Sequence, residues 1–240
     1  MRVLALESAT DMAGVALADD VSGVLASATL AQGRRHAESI APAVRFVCAQ
    51  AGVALGEVDA VAVDIGPGLF TGLRVGVASA KALAFGLGVP VVGVSSLEVL
   101  AQALASALPD PTLVVPVVDA RRGEVFAARY RVRRGEAAAE GDEVRRTPEA
   151  LAQELAALGE PVVLAGTGAR RYRAVLAVRG ASTAGALYEH PRPDVVAALG
   201  LARVAAGAVD DPLAVVPNYL READARINWE QRAPRAAVEV

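Results

Sequence analysis

The stretch GPGLFTGLRVG at residues 66–76 decides how this chain is interpreted. It follows a short apolar run at residues 61–65 that is typical of a buried strand, and a helix is predicted from near Leu73 to about Gly86. A glycine-rich turn in this position exposes backbone N–H groups at the positive end of a helix, where anions bind. It is not a Walker A loop, because no Gly-Lys-Ser/Thr follows, and it does not match the dinucleotide fingerprint.

Two interpretations of this stretch stay open. The turn either binds an anion or is simply a tight turn that needs glycine geometry. The candidate anion-binding residues are Gly66, Gly68, Thr71 and Gly72. Along the following helix, small residues recur at every fourth position, which lets another backbone approach closely, either within the chain or from a partner helix. These residues are Gly72, Gly76, Ala80 and Ala84.

Upstream of the turn, the pattern predicts three strands and one helix. Apolar runs at residues 3–6, 14–18 and 24–30 form a β-meander with a polar first turn. Residues 36–51 have helical spacing, with Ile40 and its neighbours on one stripe and Gly52 at the end.

Downstream, the plan partly repeats. A strand at residues 89–94 leads to Ser95, a predicted helix N-cap, and the second half resumes after two prolines at positions 109 and 111. The next predicted elements are a strand at 114–118, with Pro116 at an edge or bulge, a returning strand at 125–132 and an irregular hairpin loop at 133–146. They are followed by a helix from Thr147 to about 158, a strand at 162–164 and a helix at 192–206. We therefore expect a mixed α/β fold of two related lobes, residues 1–108 and 109–240.

Composition excludes several classes of protein. With 24 basic and 27 acidic residues, the chain lacks the basic excess of a free-standing nucleic-acid binder. High apolar content and a net charge of −3 exclude disorder for most of it. The lone Cys48 excludes an intramolecular disulfide. The uncharged run at 82–97 is too short and too interrupted by glycine and proline to span a bilayer, so a cytoplasmic protein without membrane contact is expected.

Three motifs together carry a resemblance to a known family. They are LALESAT at residues 4–10, the glycine stretch at 66–76 with its Phe-Thr and Arg, and PVVGVSSL at 90–97. The segment PNYLR at 217–221 adds a fourth. In these motifs the chain resembles the bacterial TsaB (YeaZ) family.

The resemblance implies an actin-like, two-lobed fold of the sugar-kinase and heat-shock-ATPase superfamily. It also implies a non-catalytic subunit that binds and activates its paralogue TsaD, with TsaE as a further partner. That complex adds a threonylcarbamoyl group to the adenosine beside the anticodon of tRNAs that read codons starting with A. No catalytic residue, metal or cofactor is then expected in this chain, which would meet tRNA only through the complex. A homodimer is one option for the isolated chain, whose oligomeric state the sequence leaves open.

One comparison with TsaD-like chains bears on chemistry. They carry a His-x-x-x-His pair after the strand that follows the glycine motif, and two imidazoles at that spacing can share a metal. The matching positions here are Ser96 and Leu100. The two histidines of this chain, His36 and His190, are far apart in sequence; each is interpreted as a surface residue, with a partner contact as the alternative for His36.

Three acids end predicted strands and could in principle hold magnesium near a phosphate: Glu7, Asp64 and Asp119. Ala9 and Ala13, however, replace much of the small polar phosphate loop of such enzymes, so nucleotide hydrolysis is disfavoured. Asp119 is expected to bond neighbouring backbone N–H groups instead. An autonomous actin-fold phosphotransferase or hydrolase remains the alternative function.

The family's use of the first two long helices for dimers implies a partner interface on them. Its expected residues are His36, Ile40, Ala43, Val44, Val47, Arg74, Val77, Ala80, Lys81 and Ala84. Ile40→Asp is predicted to abolish complex formation while the lobe stays folded. The arginine-rich stretch at 121–146 is interpreted as a solvated hairpin face, with tRNA phosphates or a partner as the alternative.

Overall fold

Two β-sheets organise the chain, one in each half. A computed structural model describes residues 1–31 and 36–220. The first sheet is built from β1 (Arg2–Glu7), β2 (Ala13–Asp19), β3 (Gly23–Leu30), β4 (Ala60–Gly66) and β5 (Val91–Ser95). Its order is β3-β2-β1-β4-β5. The first three strands form the predicted antiparallel meander, and β4 and β5 run parallel to β1.

Helices cover both faces of the first sheet. They are α1 (His36–Ala51), α2 (Phe70–Leu87), α3 (Ser96–Ala105) and, from the second half of the chain, α6 (Pro193–Ala205), with a short 3-10 turn at Leu55–Glu57. Alternation along β1 divides its side chains between two cores. Leu4 and Leu6 pack with α1 and α2, whereas Val3 and Ala5 pack with α6.

The predicted helices of the first half are present, but one of them begins earlier than the sequence predicted. The predicted helix at 36–51 is confirmed, and Gly52 ends it with a φ of 65°. α2 begins at Phe70 rather than near Leu73, so its first turn lies within the glycine stretch. Ser95 caps α3 as expected, with its hydroxyl oxygen accepting from the backbone N–H of Leu97.

The second sheet contains more strands than the sequence predicted. It consists of β6 (Thr112–Arg121), β7 (Glu124–Ala127), β8 (Tyr130–Arg133), β9 (Glu136–Ala139), β10 (Val144–Arg146), β11 (Val162–Ala165) and β12 (Ala181–Thr183). Its main order is β10-β7-β6-β11-β12, with β8 also paired to β6 and β9 to β8. The helices of this half are α4 (Pro148–Ala157) and α5 (Thr167–Arg171), followed by a 3-10 turn at Ala186–Tyr188.

Two predictions for this half were wrong, and so was the edge-strand alternative for Pro116. The returning strand at 125–132 is broken into β7 and β8, and the supposed irregular loop at 133–146 contains β9 and β10. Pro116 lies inside β6, which pairs on both sides, and not on an edge strand. The proline falls between Val114, which pairs with β8, and Val117, which pairs with β7, so it stands where the partner strand changes.

The division into residues 1–108 and 109–240 stays a prediction. Two helices cross it: α3 packs against β6 and β8 of the second sheet, and α6 packs against β1 and β2 of the first. At Gly200 of α6, an added Cβ would stand 2.6 Å from the Cβ of Ala62, so this glycine lets the helix lie directly on the sheet. Each lobe is therefore completed by a helix from the other half.

Candidate functional site: glycine turn and interlobe cleft

The glycine turn lies against the loop between β1 and β2. An added Cβ at Gly68 would stand 2.2 Å from the carbonyl oxygen of Ala9, and one at Gly72 would stand 2.0 Å from that of Ser8. The Leu69 N–H donates to the Ala9 carbonyl at 2.7 Å, and the Ser8 hydroxyl donates to the Gly72 carbonyl at 2.9 Å. These glycines allow two backbones to touch, which side chains would prevent.

An anion-binding role for this turn stays a prediction. The N–H of Gly66 donates to Asp64 Oδ1 at 2.8 Å and that of Leu69 donates to Ala9, so both groups are used within the chain. Thr71 is exposed. For the small-residue stripe, the contact within the chain is confirmed, because Gly76 meets the Ser8 hydroxyl and Ala80 and Ala84 are buried in the first core.

The side chains expected to bind a partner are mostly internal. All except Arg74 and Lys81 are buried, and the apolar ones belong to the core between α1, α2 and the first sheet. Ile40 is 3% exposed, so the expectation that Ile40→Asp leaves the lobe folded is wrong: the variant would bury an unpaired charge.

The two members of that set that are not buried, the exposed Arg74 and the half-buried Lys81, hold a strap formed by residues 210–220. Lys81 Nζ donates to the carbonyl oxygens of Leu213 and Val215, each at 3.0 Å. Arg74 lies 3.9 Å from the centre of the Phe70 ring and donates from Nε to the Tyr219 hydroxyl at 3.1 Å. Of the PNYLR segment, Arg221 lies outside the described residues.

Glu7 and Asp64 form a buried acidic pair beneath the turn. Both are fully inaccessible to solvent. Glu7 Oε1 accepts from the Ala9 N–H at 2.8 Å, and Asp64 Oδ1 accepts from the Ser96 hydroxyl at 2.6 Å as well as from Gly66. Burial raises the pKa of Asp64 to about 7, and burial together with the charge of Asp64 raises the pKa of Glu7 well above its ordinary value.

His36 has a structural position that the sequence did not reveal. It is buried at the start of α1, and its Nε2 lies 2.8 Å from the carbonyl oxygen of Thr10 and 3.2 Å from that of Met12. Because carbonyl oxygens only accept, Nε2 carries the proton and donates. The interpretation of His36 as a solvated residue was wrong: it fastens α1 to the β1–β2 loop.

A cleft of about 560 Å³ separates the two lobes. Its first wall comes from the β1–β2 loop and its second from the end of β6 and from α5. The lining residues include Thr10, Asp11, Asp119, Arg121, Thr167 and Arg171. The sequence pointed to Asp119 but not to Thr10 or to α5, although the GTG turn at 166–168 repeats the pattern of a strand followed by glycines.

Among the described residues, three arginines line the cleft, and each is paired with an acid that also lines it. Arg121 bridges the lobes, 3.0 Å from Asp11 and 3.3 Å from Asp119. The other two pairs are Arg171 with Asp119 at 3.2 Å and Arg170 with Glu189 at 2.8 Å. As expected, Asp119 also accepts a backbone N–H, that of Arg121, at 3.0 Å. These pairs satisfy the guanidinium groups that would otherwise attract a phosphate.

His190 also lies at this cleft. Its Nδ1 is 3.0 Å from the Thr10 hydroxyl, a contact between the second half of the chain and the first. Burial lowers the pKa of His190, which favours the neutral ring. His190 is therefore partly buried at the cleft rather than fully solvated.

The positions that match the TsaD-like histidine pair are internal. Ser96 and Leu100 are fully buried on α3, and Ser96 donates to Asp64. Among the residues that the structure describes, no group of three or more His, Cys, Asp or Glu side chains could hold a metal. Within residues 1–31 and 36–220, no helix is long and apolar enough to cross a membrane.

Several arginines of the 121–146 stretch are bound to acids of the same chain. Arg131 pairs with Glu140 at 2.9 Å and with Glu160 at 2.6 Å, and Arg146 pairs with Glu154 at 2.7 Å. A phosphate would have to compete with these carboxylates, so the solvated hairpin face remains the better interpretation.

The two sheets, the crossed helices and the cleft define a class of protein, the actin-like ATPase and sugar-kinase fold. A ROK hexokinase from Thermus thermophilus shares this fold, with a TM-score of 0.50 and 15% identity. The match covers 85% of this chain and 100% of the hexokinase chain. A crystal structure described as an uncharacterized protein with similarity to peptidase YEAZ from Pseudomonas aeruginosa has a TM-score of 0.80 and 32% identity, over 92% of this chain and 99% of that one.

Sequence comparisons specify the family. Residues 23–229 match the family described as TsaD, tRNA N6-adenosine threonylcarbamoyltransferase. The tRNA threonylcarbamoyladenosine biosynthesis protein TsaB of Bacillus subtilis is 32% identical over 95% of this chain and 98% of its own length. TsaB of Escherichia coli is 36% identical over 70% of this chain and 72% of its own. The chain belongs to the TsaB (YeaZ) family and takes part in tRNA threonylcarbamoyladenosine biosynthesis.

Proposed function

We propose that this chain is the non-catalytic subunit that binds and activates TsaD, with TsaE, in the complex that adds threonylcarbamoyl to the adenosine beside the anticodon. The observation that carries the proposal is the position of Ser96 and Leu100. Where TsaD-like chains have two histidines, these side chains are buried in α3, and one of them is already bonded to Asp64. A ligand pair at this place would need both a change of residues and an opening of the core.

The interlobe cleft supports the same proposal. Its described arginines, Arg121, Arg170 and Arg171, are paired with carboxylates, which a phosphate binding to them must displace. Calorimetry with ATP and magnesium tests the alternative of an autonomous phosphotransferase. Tight binding with turnover would favour that alternative over the proposal.

Exposed residues of α1, α2 and the strap would form the surface for TsaD. Phe46 on α1 is 54% exposed, Phe85 on α2 is 83% exposed and Leu213 on the strap is 78% exposed. Large exposed apolar side chains stabilise association when a partner buries them. The same surface would carry a homodimer when the chain is alone, and tRNA would be met only through the complex.

Reconstitution tests the proposal. Purified TsaD and TsaE are mixed with labelled threonylcarbamoyl-adenylate and tRNA, with and without this chain. We expect transfer of label to depend on it, and Phe85→Asp to reduce transfer and complex formation by about tenfold or more, since a central apolar contact is commonly worth over 1.4 kcal/mol.

Val21→Asp is the matched control. Val21 is 89% exposed on the turn between β2 and β3, so this variant adds the same charge on another surface and should behave like wild type. Label transferred to tRNA by this chain alone would contradict its non-catalytic role. A complex that withstands Phe85→Asp would contradict the proposed surface.

A further inference from the structure

The carboxyl groups of Glu7 and Asp64 stand side by side because of the strand register. β1 and β4 are parallel neighbours whose paired register ends at Leu6 and Val63, and Glu7 and Asp64 are the next residues on the two strands. Parallel strands lie roughly 4.8 Å apart, and side chains in register leave the sheet on the same face. The two acids therefore meet at the carboxyl end of the sheet, where it faces the second lobe.

One carboxyl oxygen of each acid has no hydrogen-bond partner among the described residues. Glu7 Oε2 and Asp64 Oδ2 are buried and have no hydrogen-bond partner among the described residues, whereas the other oxygen of each is satisfied. An unsatisfied carboxylate oxygen in a dry site costs several kcal/mol in general terms. Two such oxygens on adjacent strands can satisfy each other if one of them carries a proton.

Among the residues that the structure describes, no positively charged group contributes to the pKa shift of Asp64. The further charged group that acts on it is Glu143, on the segment before β10, which is itself an acid and raises the pKa of Asp64. Glu143 is bonded to Ser95 and Asn218.

Several other charged or titratable groups on the neighbouring elements already have partners. Glu98 on α3 is paired with Arg203 on α6, and His36 on α1 donates to backbone carbonyl oxygens. On α2, Arg74 and Lys81 bind the strap. Asp210 on the strap accepts from the N–H of Gly93.

We propose that Glu7 and Asp64 share one proton and form an acid–carboxylate hydrogen bond that acts as a pH-sensitive joint between the lobes. The pair holds three segments together: Glu7 binds the β1–β2 loop at Ala9, and Asp64 binds the glycine turn at Gly66 and α3 at Ser96. Because α3 continues onto the second sheet, loss of the proton would place two negative charges at the point where the lobes meet.

The sign of the pH dependence follows from linkage. A carboxyl whose pKa is raised by folding stabilises the fold fully below its unfolded pKa, and this stabilisation is lost as pH rises through the folded value. For this pair the stabilisation begins to be lost at about pH 4, near the unfolded pKa. The loss continues up to the folded pKa, which is about 7 for Asp64 and is raised well above its ordinary value for Glu7. Because the folded state binds one more proton than the unfolded state, the unfolding equilibrium constant rises about tenfold for each unit of increase in pH over that window.

Urea unfolding of the full chain, followed by circular dichroism from about pH 4 to about pH 9, tests the proposal. In Glu7→Gln the amide can keep the bond from Ala9 and donate to Asp64 without a titrating proton. We expect the free energy of unfolding to fall less steeply with pH, by the contribution of one proton, and the variant to be more stable than wild type at about pH 8. Asp64→Asn places the amide on the other side and should give the same result. Glu154→Gln, at an exposed ion pair, should keep the wild-type slope.

Other outcomes would overturn the proposal. If Glu7→Gln and Asp64→Asn both fold with the wild-type slope, the two acids share no proton. If magnesium ions restore wild-type stability at about pH 8 but leave both variants unchanged, the pair holds a cation instead. If neither variant folds, infrared spectroscopy of the wild type decides, because a shared proton requires the band of a buried neutral carboxylic acid near pH 6, and its absence refutes the proposal.

Discussion

Two groups of acids at the junction between the lobes lie in opposite surroundings. Glu7 and Asp64 are fully buried, and each leaves one oxygen without a partner among the described residues. Asp11 and Asp119 lie at the cleft, where Arg121 reaches both of them. Burial raises the pKa values of Glu7 and Asp64, whereas Asp11 and Asp119 form ion pairs with Arg121. The environment, rather than the residue type, decides what each acid contributes.

The same contrast applies to the first two long helices. Their inner faces complete a dry core, and their outer faces present Phe46 and Phe85 to solvent. A charge introduced on the inner face must lose its water, whereas one on the outer face keeps it. Pairs of variants on one helix therefore sharpen the comparison.

The largest effect is expected for Ile40→Asp. This change places an unpaired carboxylate among Val44, Val47 and the strands of the first sheet, so we expect a loss of more than about 4 kcal/mol in the free energy of unfolding. Phe46→Asp on the outer face of α1 should cost less than about 1 kcal/mol. Circular dichroism in urea measures both. A fully folded Ile40→Asp protein would show that this core admits water.

A smaller effect is expected for Ser96→Ala. The change removes the 2.6 Å hydrogen bond to Asp64 and should cost about 1–3 kcal/mol at neutral pH. Because Ser96 donates to the carboxylate, its loss raises the pKa of Asp64 further, and the cost should be greater at about pH 8 than at about pH 5. Urea unfolding at the two pH values measures the difference.

Ser182→Ala is the control for that experiment. Its hydroxyl donates to the carbonyl oxygen of Val162 at 3.4 Å, a neutral acceptor, so its cost should not change with pH. If the two serine variants gave the same pH profile, Asp64 would not titrate in the folded chain over this range.

The smallest effect is expected for Arg121→Gln. The change removes the interlobe ion pair with Asp11, in which both side chains are nearly half exposed, so the cost should be at most about 1 kcal/mol and should decrease at high salt. Asp119 keeps Arg171 as a partner. Urea unfolding at low and high sodium chloride measures this. A decrease of several kcal/mol in the free energy of unfolding that does not depend on salt would show that the Arg121–Asp11 pair is shielded from solvent, as Glu7 and Asp64 are.

Patterns of short range were predictable from the sequence. The meander, the helix from His36 to Ala51 and the Ser95 cap were confirmed, because each depends on apolar spacing or on one capping hydroxyl. The motifs at 4–10 and 66–76 were also sufficient to indicate the family that the comparisons then confirmed.

Contacts between distant segments could not be predicted in this way. The sequence shows a stripe at Ile40 but not which surface covers it, and it shows Glu7 and Asp64 as separate strand ends, 57 positions apart. Only the parallel register of β1 and β4 brings those acids together, and only packing of the lobes removes their water. The sequence alone determined the elements and the family. The tertiary structure decided which faces are buried and which acids have a raised pKa, because burial and desolvation depend on every segment that packs around a residue.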